Sequence, residues 1–149
     1  MTSTWDEWRT RAETFDSGGL AVAGYELGDP TGPVATFRHG FPSSSLDVEP
    51  VVEHLDGWRV LALDFPGFGA SAKPTGHRYS IHACADAVQA LWAGREVAST
   101  FLLAHDYGVS VCQELVYPST AWVRASRPVS AVRRGGIAAD SDGSTMAMS

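Results

Sequence analysis

The sequence predicts an α/β domain built on a mostly parallel sheet with an N-terminal β-hairpin. Two almost uninterrupted apolar runs, at residues 58–65 and 100–104, are typical of strands that are covered on both faces. Between them, Ser80 can cap a helix whose apolar residues repeat at helical spacing. Strands therefore alternate with helices along the chain, and this order favours parallel strands joined by helical crossovers.

The chain before the first apolar run contains a short helix, a hairpin, a strand and a second helix. Residues 4–11 can form an amphipathic helix, and the turn signal SGG joins two strands expected at residues 12–16 and 20–27. A third strand is expected at residues 33–37. The helix that follows should begin just before Pro50, because proline is tolerated in the first turn of a helix but not in its interior.

The chain between the two apolar runs and just after them completes the alternation. Ile81, Val88 and Leu91 lie on one apolar stripe, which predicts the helix that Ser80 would cap. The strand at residues 100–104 leads directly into a further helical segment, expected from Gly108 to about Val116. The predicted core therefore ends with a strand followed by a helix.

The composition and the charge balance of the sequence change after Val116. The chain up to Val116 carries seven basic and fifteen acidic residues, whereas the remainder carries four and two. The remainder is rich in Ser, Ala, Arg and Gly, and it has no sustained hydrophobic period. We therefore expect residues 1–116 to form a partial core and residues 117–149 to form an irregular, disordered tail without strands.

Composition argues against several classes of protein. A net charge of −6 argues against nucleic acid as a partner, because a phosphate-binding face needs concentrated Lys and Arg. The sequence shows neither an N-terminal signal peptide nor an apolar stretch of membrane-spanning length. Cys84 and Cys112 fall within helical apolar patterns, which predicts reduced core residues. These observations lead us to expect a cytoplasmic protein.

A carboxylate stands where the second apolar run meets the helix after it. In the stretch AHDYG, Asp106 is flanked two residues away on either side by Ala104 and Gly108. This small-x-acid-x-small pattern at a strand-to-helix turn is the layout of a nucleophile elbow, where a strained turn needs small neighbours. The alternative is that Asp106 serves only as the N-cap of the helix.

Three motifs together give a family resemblance. HGFP at residues 39–42, DFPGFGASAKP at residues 64–74 and AHDYG at residues 104–108 each fall at an expected strand end. With these motifs the chain resembles the α/β-hydrolase superfamily, in its aspartate-nucleophile branch of epoxide hydrolases, haloalkane dehalogenases and relatives such as the mesoderm-specific transcript group. The resemblance covers roughly residues 12–116 and implies the N-terminal part of an α/β-hydrolase fold.

The resemblance also implies a role for each matching residue. Asp106 corresponds to the nucleophile, the backbone amides of Phe41 and Tyr107 to the oxyanion hole, and His39 to a residue that shapes the oxyanion loop. The implied reaction is hydrolysis of an epoxide or related small electrophile through an alkyl ester on Asp106, with no cofactor and no metal. A carboxylate with a reference pKa of about 3.9 is ionised at neutral pH and needs no base for the first attack. Tyr107 stands where dehalogenases usually place tryptophan, which favours the epoxide hydrolases.

The same resemblance implies an acid and a histidine after the nucleophile, and the sequence lacks this histidine. The last of the five histidines is His105, and the acids beyond Glu114 are Asp140 and Asp142, both in the expected tail. We therefore expect a truncated, inactive hydrolase, produced by truncation or a change of reading frame soon after Val116. His105 itself is expected to be structural.

Two alternatives to an inactive hydrolase remain open. A non-catalytic fragment or pseudoenzyme could act through protein–protein contact, or the chain could misfold. If the strand at residues 100–104 becomes a sheet edge, its unpaired amides predict self-association.

One further motif match is rejected. Gly67, Gly69 and Ala72 satisfy the G-x-G-x-x-A pattern of a dinucleotide site after a strand. Such a site needs a helix to begin in this loop, and Pro74 prevents that helix.

Overall fold

The computed structural model describes residues 3–116 with their side chains and, beyond them, the backbone of residues 131–134, 137–140 and 145–147. The strands are β1 (Glu13–Ser17), β2 (Leu20–Gly28), β3 (Val34–Arg38), β4 (Arg59–Leu63), β5 (Thr100–Ala104), β6 (Ala131–Arg134), β7 (Ile137–Asp140) and β8 (Thr145–Ala147). The helices are α1 (Trp5–Arg9), α2 (Glu49–Val52), α3 (Ile81–Gly94) and α4 (Tyr107–Val116), and a 3₁₀ turn covers Ser45–Val48.

The strands form one mixed sheet in the order β1-β2-β4-β3-β5-β6-β7-β8. The β1–β2 hairpin is antiparallel, and β2 continues antiparallel onto β4. The next three strands, β4, β3 and β5, are parallel to one another. The predicted hairpin is thus confirmed, and the predicted parallel strands form the centre of a mixed sheet. Because the carboxyl ends of parallel strands meet at one edge, the loops after β3, β4 and β5 converge, and these loops carry the three motifs.

The core lies on both faces of the sheet. Along β4, Leu61 and Leu63 pack with α3 and α4, while Val60 and Ala62 face α1 and α2. All four side chains are fully buried, and each burial of a large aliphatic side chain contributes about 1.5–3 kcal/mol. The prediction of a strand covered on both faces is confirmed.

The helices begin where their capping residues predict. The Ser80 hydroxyl accepts the Ala83 N–H at 3.1 Å and starts α3. The helix α2 begins at Glu49, so that Pro50 lies in its first turn as predicted. Cys84 on α3 and Cys112 on α4 are buried between these two helices and the sheet, and no disulfide joins them. None of the helices in the described residues is long and apolar enough to cross a membrane.

The structure differs from the sequence expectation after Val116, where it contains three short strands. β6 pairs in parallel with Thr100 and Phe101 of β5, so this sheet edge is partly covered rather than open. Arg134 pairs with Ile137 across a two-residue connection, and both connecting residues are glycine, a sequence typical of a tight hairpin. The expected disorder of the other residues after Val116 lies outside the described residues and stays a prediction.

Candidate active site

The turn between β5 and α4 holds Asp106 in an unusual backbone conformation. Its φ is 50°, in the left-handed region, and its side chain is exposed. The first backbone hydrogen bonds of α4 form around Asp106. The Gly108 N–H donates to the His105 carbonyl oxygen and the Val109 N–H donates to the Asp106 carbonyl oxygen, each at 3.0 Å. A non-glycine residue in this region is strained by about 1–2 kcal/mol, and such strain is most often retained at functional sites.

Two glycines allow the backbone around Asp106 to pack closely. A β-carbon on Gly108 would lie 2.6 Å from the Arg38 carbonyl oxygen and 2.8 Å from the His39 carbonyl oxygen. A β-carbon on Gly40 would lie 2.9 Å from the β-carbon of Asp106. Both positions therefore require glycine, and the loop after β3 is pressed directly against the turn.

The carboxylate of Asp106 is held by backbone amides. The Phe41 N–H donates to Asp106 Oδ1 at 2.7 Å, although Phe41 lies 65 residues earlier in the sequence. The amides of Phe41 and then Tyr107 lower the pKa of Asp106, with a smaller contribution from nearby His105. The carboxylate is therefore ionised at neutral pH. The side chain of an N-cap residue accepts a hydrogen bond from the second or third backbone amide of its own helix, whereas Asp106 Oδ1 accepts one from a distant loop.

His39 connects the loops that follow β3 and β4. Its ring is fully buried, and its Nε2 accepts the Phe65 N–H at 3.0 Å. Its Nδ1 then carries the proton and donates to the Gly40 carbonyl oxygen at 2.8 Å, a tautomer that follows from the hydrogen-bond network. Burial lowers the pKa of His39, which keeps the ring neutral. With both nitrogens bonded to backbone, His39 shapes the loop and has no nitrogen available to accept a proton.

The loop after β4 is organised around a second aspartate, Asp64, whose role the motif match did not reveal. Its carboxylate is fully buried and accepts three hydrogen bonds: from the Tyr25 hydroxyl at 3.0 Å, the Ser45 amide at 2.7 Å and the Ala70 amide at 2.8 Å. Gly69 has a φ of 46°, and a β-carbon there would lie 2.1 Å from Asp64 Cγ. The glycine of this motif thus makes room for a buried carboxylate.

Aromatic side chains form an apolar wall beside Asp106. The ring of Phe68 lies 5.9 Å from that of Phe41 and 6.4 Å from that of Tyr107, measured between centroids. Phe41 is 66% exposed, a large value for an aromatic residue. The Tyr107 hydroxyl lies 3.9 Å from Cys84 Sγ, so its contact is with the core. The wall offers apolar surface to a molecule that approaches the carboxylate.

Two contacts near the turn were not predicted from the sequence. His105 Nε2 lies 3.3 Å from Asp47 Oδ2, and its side chain is half-exposed. Arg38, the last residue of β3, is fully buried, and none of its guanidinium nitrogens has a hydrogen-bond partner among the described residues. Its charge lies over the Trp92 ring at 5.2 Å. The pairing of His105 depends on a long-range contact, which a sequence motif does not encode.

Comparison with known proteins places these motifs in a family context. The family model described as alpha/beta hydrolase fold matches residues 37–117. LipZ of Mycobacterium tuberculosis is 43% identical over 84 residues, which cover 56% of this chain and 29% of LipZ. The mesoderm-specific transcript homolog protein of Bos taurus is 40% identical over 118 residues, which cover 74% of this chain and 35% of that protein.

A solved structure agrees with the sequence comparison. The crystal structure of epoxide hydrolase VrEH1 from Vigna radiata superposes with a TM-score of 0.64 at 31% identity, covering 70% of this chain and 34% of that enzyme. The chain therefore spans about a third of the length of these relatives.

Proposed function

Because this chain belongs to the alpha/beta hydrolase fold family, we propose that its Asp106 turn is a covalent catalytic site of the epoxide-hydrolase type. The observation that carries the proposal is the exposed, ionised carboxylate of Asp106, held at positive φ with one oxygen bound by the Phe41 amide. An ionised carboxylate in this position is a nucleophile that requires no general base. Epoxide hydrolases among its relatives support the choice of electrophile.

The proposed first step joins Asp106 to the substrate. A carboxylate oxygen attacks one epoxide carbon, the bond from that carbon to the epoxide oxygen breaks, and the alkoxide takes a proton from water. The product is a hydroxyalkyl ester on Asp106. The exposed Phe41 ring and the neighbouring Phe68 ring suit an apolar or aryl substituent on the epoxide.

The proposed second step hydrolyses the ester. Water attacks the carbonyl carbon of the ester, and the amides of Phe41 and Tyr107 stabilise the negative charge that develops on the carbonyl oxygen. The bond from that carbon to the alkyl oxygen then breaks, and the alkyl oxygen leaves with a proton as the diol, which restores the Asp106 carboxylate. This step needs a base to remove a proton from water. The 149-residue sequence has no histidine after His105, and both nitrogens of His39 are bonded to backbone. We therefore propose that the 149-residue chain forms the ester and clears it very slowly.

Intact-mass spectrometry tests this proposal directly. The purified 149-residue protein, incubated with styrene oxide, should gain the mass of one reagent molecule and retain it after the excess is removed. The variant Asp106→Asn should gain none, whereas Asp86→Asn, which changes an exposed aspartate on α3, should react like the wild type. Equal labelling of the Asp106→Asn protein would refute the assignment, and repeated turnover to the diol would refute the slow clearance.

The second candidate function is protein–protein contact without catalysis, and one observation favours it. β6 pairs with only the first two residues of β5, and the rest of this edge borders a groove lined by Leu102, Leu103 and Val109 among others. Unpaired strand edges beside apolar surface favour pairing with another chain. Absence of the styrene oxide adduct, together with concentration-dependent association in sedimentation velocity, would favour this candidate over the first.

A further inference from the structure

We propose that Ser43, Asp47 and His105 form a brace that positions the Phe41 amide on the Asp106 carboxylate. The catalytic consequence of this brace rests on the proposed function, but its structural effect can be measured without any reaction. His105 lies within the AHDYG motif, whereas Ser43 and Asp47 lie outside the three motifs. Each of the three is a positioning residue, since the group it acts through is the amide of Phe41.

The loop that carries Phe41 lies between two buried residues, His39 before its tip and Ser45 after it, whose amide donates to Asp64 at 2.7 Å. Its first residue, His39, is buried and bonded to backbone through both ring nitrogens. At its tip, Phe41 and Pro42 are exposed to solvent, so little packing holds them. A contact closer to this tip than Ser45 would therefore help to hold the 2.7 Å hydrogen bond from Phe41 to Asp106.

The carboxylate of Asp47 supplies that contact. The Ser43 hydroxyl, directly after the exposed tip, donates to Asp47 Oδ2. His105 Nε2 lies 3.3 Å from the same oxygen. Asp47 thus links the residue that follows the loop tip to the residue that precedes Asp106, so both ends of the Phe41–Asp106 contact are held by one carboxylate.

The imidazole of His105 also borders the loop directly. A β-carbon on Gly40 would lie 2.8 Å from His105 Cε1 and 3.1 Å from Asp106 Oδ1, so the ring and the carboxylate flank the same glycine. On the sheet side, the Phe37 ring lies 6.0 Å from the His105 ring, centroid to centroid. The ring is thus fixed between the sheet and the loop, and a shift of His105 would change the distance from Phe41 to Asp106.

The brace should affect the site more than the fold. Side chains of His105 and Asp47 are 52% and 36% exposed, and ion pairs with such exposure contribute little to the free energy of unfolding. The distance between the Phe41 amide and the oxygen of Asp106 is more critical, since an amide stabilises an oxyanion only within about 2.7–3.1 Å. Loss of the brace should therefore weaken the Phe41–Asp106 contact in a protein that remains folded.

NMR on the full 149-residue protein tests the brace through two quantities. Ser43→Ala and Asp47→Asn should each speed hydrogen exchange of the Phe41 amide by about threefold or more. They should also raise the pKa of Asp106, because the Phe41 hydrogen bond is the largest cause that lowers it. Removal of the Asp47 charge alone would lower the pKa of Asp106, but it also acts on His105, whose charge lowers the same pKa. The rise in Ser43→Ala, which removes no charge, is therefore the one that reports the lost hydrogen bond.

Two variants separate the brace from a general loss of structure. Ser43→Thr keeps the hydroxyl and should restore the wild-type exchange rate and pKa of Asp106. His82→Gln breaks another exposed histidine–carboxylate pair, 2.9 Å from Glu114 on α4, and should change neither quantity. If Ser43→Ala and Asp47→Asn leave both quantities at their wild-type values, the brace is refuted.

The chemical readout distinguishes this inference from the proposed function. In protein already carrying the styrene oxide ester, cleavage by added hydroxylamine should be about threefold slower or more in Ser43→Ala than in the wild type. An ester that forms and is cleaved equally fast in both proteins would refute the brace alone. Failure of the wild type to form the ester would refute the proposed function, and the NMR measurements would still decide the brace.

Discussion

Two aspartates lie just after β4 and β5, the parallel strands on either side of β3, and their surroundings separate a structural carboxylate from the proposed nucleophile. Asp64, after β4, is fully buried and accepts three hydrogen bonds from three different segments. Asp106, after β5, is exposed and lies at a φ of 50°. The same residue type at the carboxyl ends of these strands therefore stands in two different environments, which differ in solvent access and in the donors around the carboxylate.

Each carboxylate depends on a glycine that lets its donors approach. Gly69 lies so close to the Asp64 carboxylate that a side chain there would overlap it, and the adjacent Ala70 amide donates to the same group. Gly40 plays the corresponding part for Asp106, beside the donating amide of Phe41. A buried charge is tolerated only when its hydrogen bonds are satisfied, whereas an exposed one retains water and can meet a substrate.

The largest expected effect follows removal of the buried carboxylate of Asp64. Asp64→Ala should lower the free energy of unfolding by at least about 3 kcal/mol, because it leaves the Tyr25 hydroxyl and two amides buried without an acceptor. Asp106→Asn should change it little, because asparagine tolerates positive φ. Urea unfolding of both variants measures the contrast. Similar losses of unfolding free energy in Asp64→Ala and Asp106→Asn would show that the two carboxylates contribute equally to stability.

An intermediate effect on the free energy of unfolding is expected when the buried positive charge of Arg38 is removed. Arg38→Met should raise the free energy of unfolding by about 1–4 kcal/mol, since the guanidinium has no hydrogen-bond partner among the described residues. Burial lowers the pKa of Arg38 to about 10. Below pH 10 the guanidinium is charged in both the folded and the unfolded protein, so the folded protein bears the full cost of burying the charge. The gain in stability from Arg38→Met should therefore shrink as the pH rises through 10.

A matched variant controls the Arg38 experiment. Arg59→Met removes a guanidinium that is paired with Glu26 at 2.8 Å, and it should lower the free energy of unfolding. A loss of stability in Arg38→Met would contradict the prediction and would indicate that an acceptor does pair with Arg38.

The smallest expected effect concerns the strain at Asp106. Asp106→Gly should raise the melting temperature slightly, by less than Arg38→Met, because glycine adopts positive φ without steric cost. Glu96→Gly, at a φ of 52° just after α3, should give a similar small gain and serves as the control. Differential scanning calorimetry measures both. A clear loss in Asp106→Gly would mean that the aspartate side chain stabilises the turn by more than the strain costs.

Local sequence signals predicted most of the described core. Ser80 and the apolar stripe after it predicted α3, the run at residues 100–104 predicted β5, and Pro50 marked the first turn of α2. These signals succeed because capping, periodicity and proline geometry act within a few residues. The short strands after Val116 were not predicted, because edge pairing can order a segment that has no period of its own.

Local sequence is enough to predict the order of strands and helices, the glycines at the turns and the position of Asp106 at a strand end, because each depends on neighbours within a few residues. The donors that reach each carboxylate depend instead on how distant segments pack. The Phe41 amide lies 65 residues from Asp106, and the Phe65 amide lies 26 residues from the His39 ring that it meets. The proposed brace through Asp47 and the position of the Arg38 guanidinium over the Trp92 ring likewise depend on distant segments packed together, and local sequence patterns carry no record of such contacts.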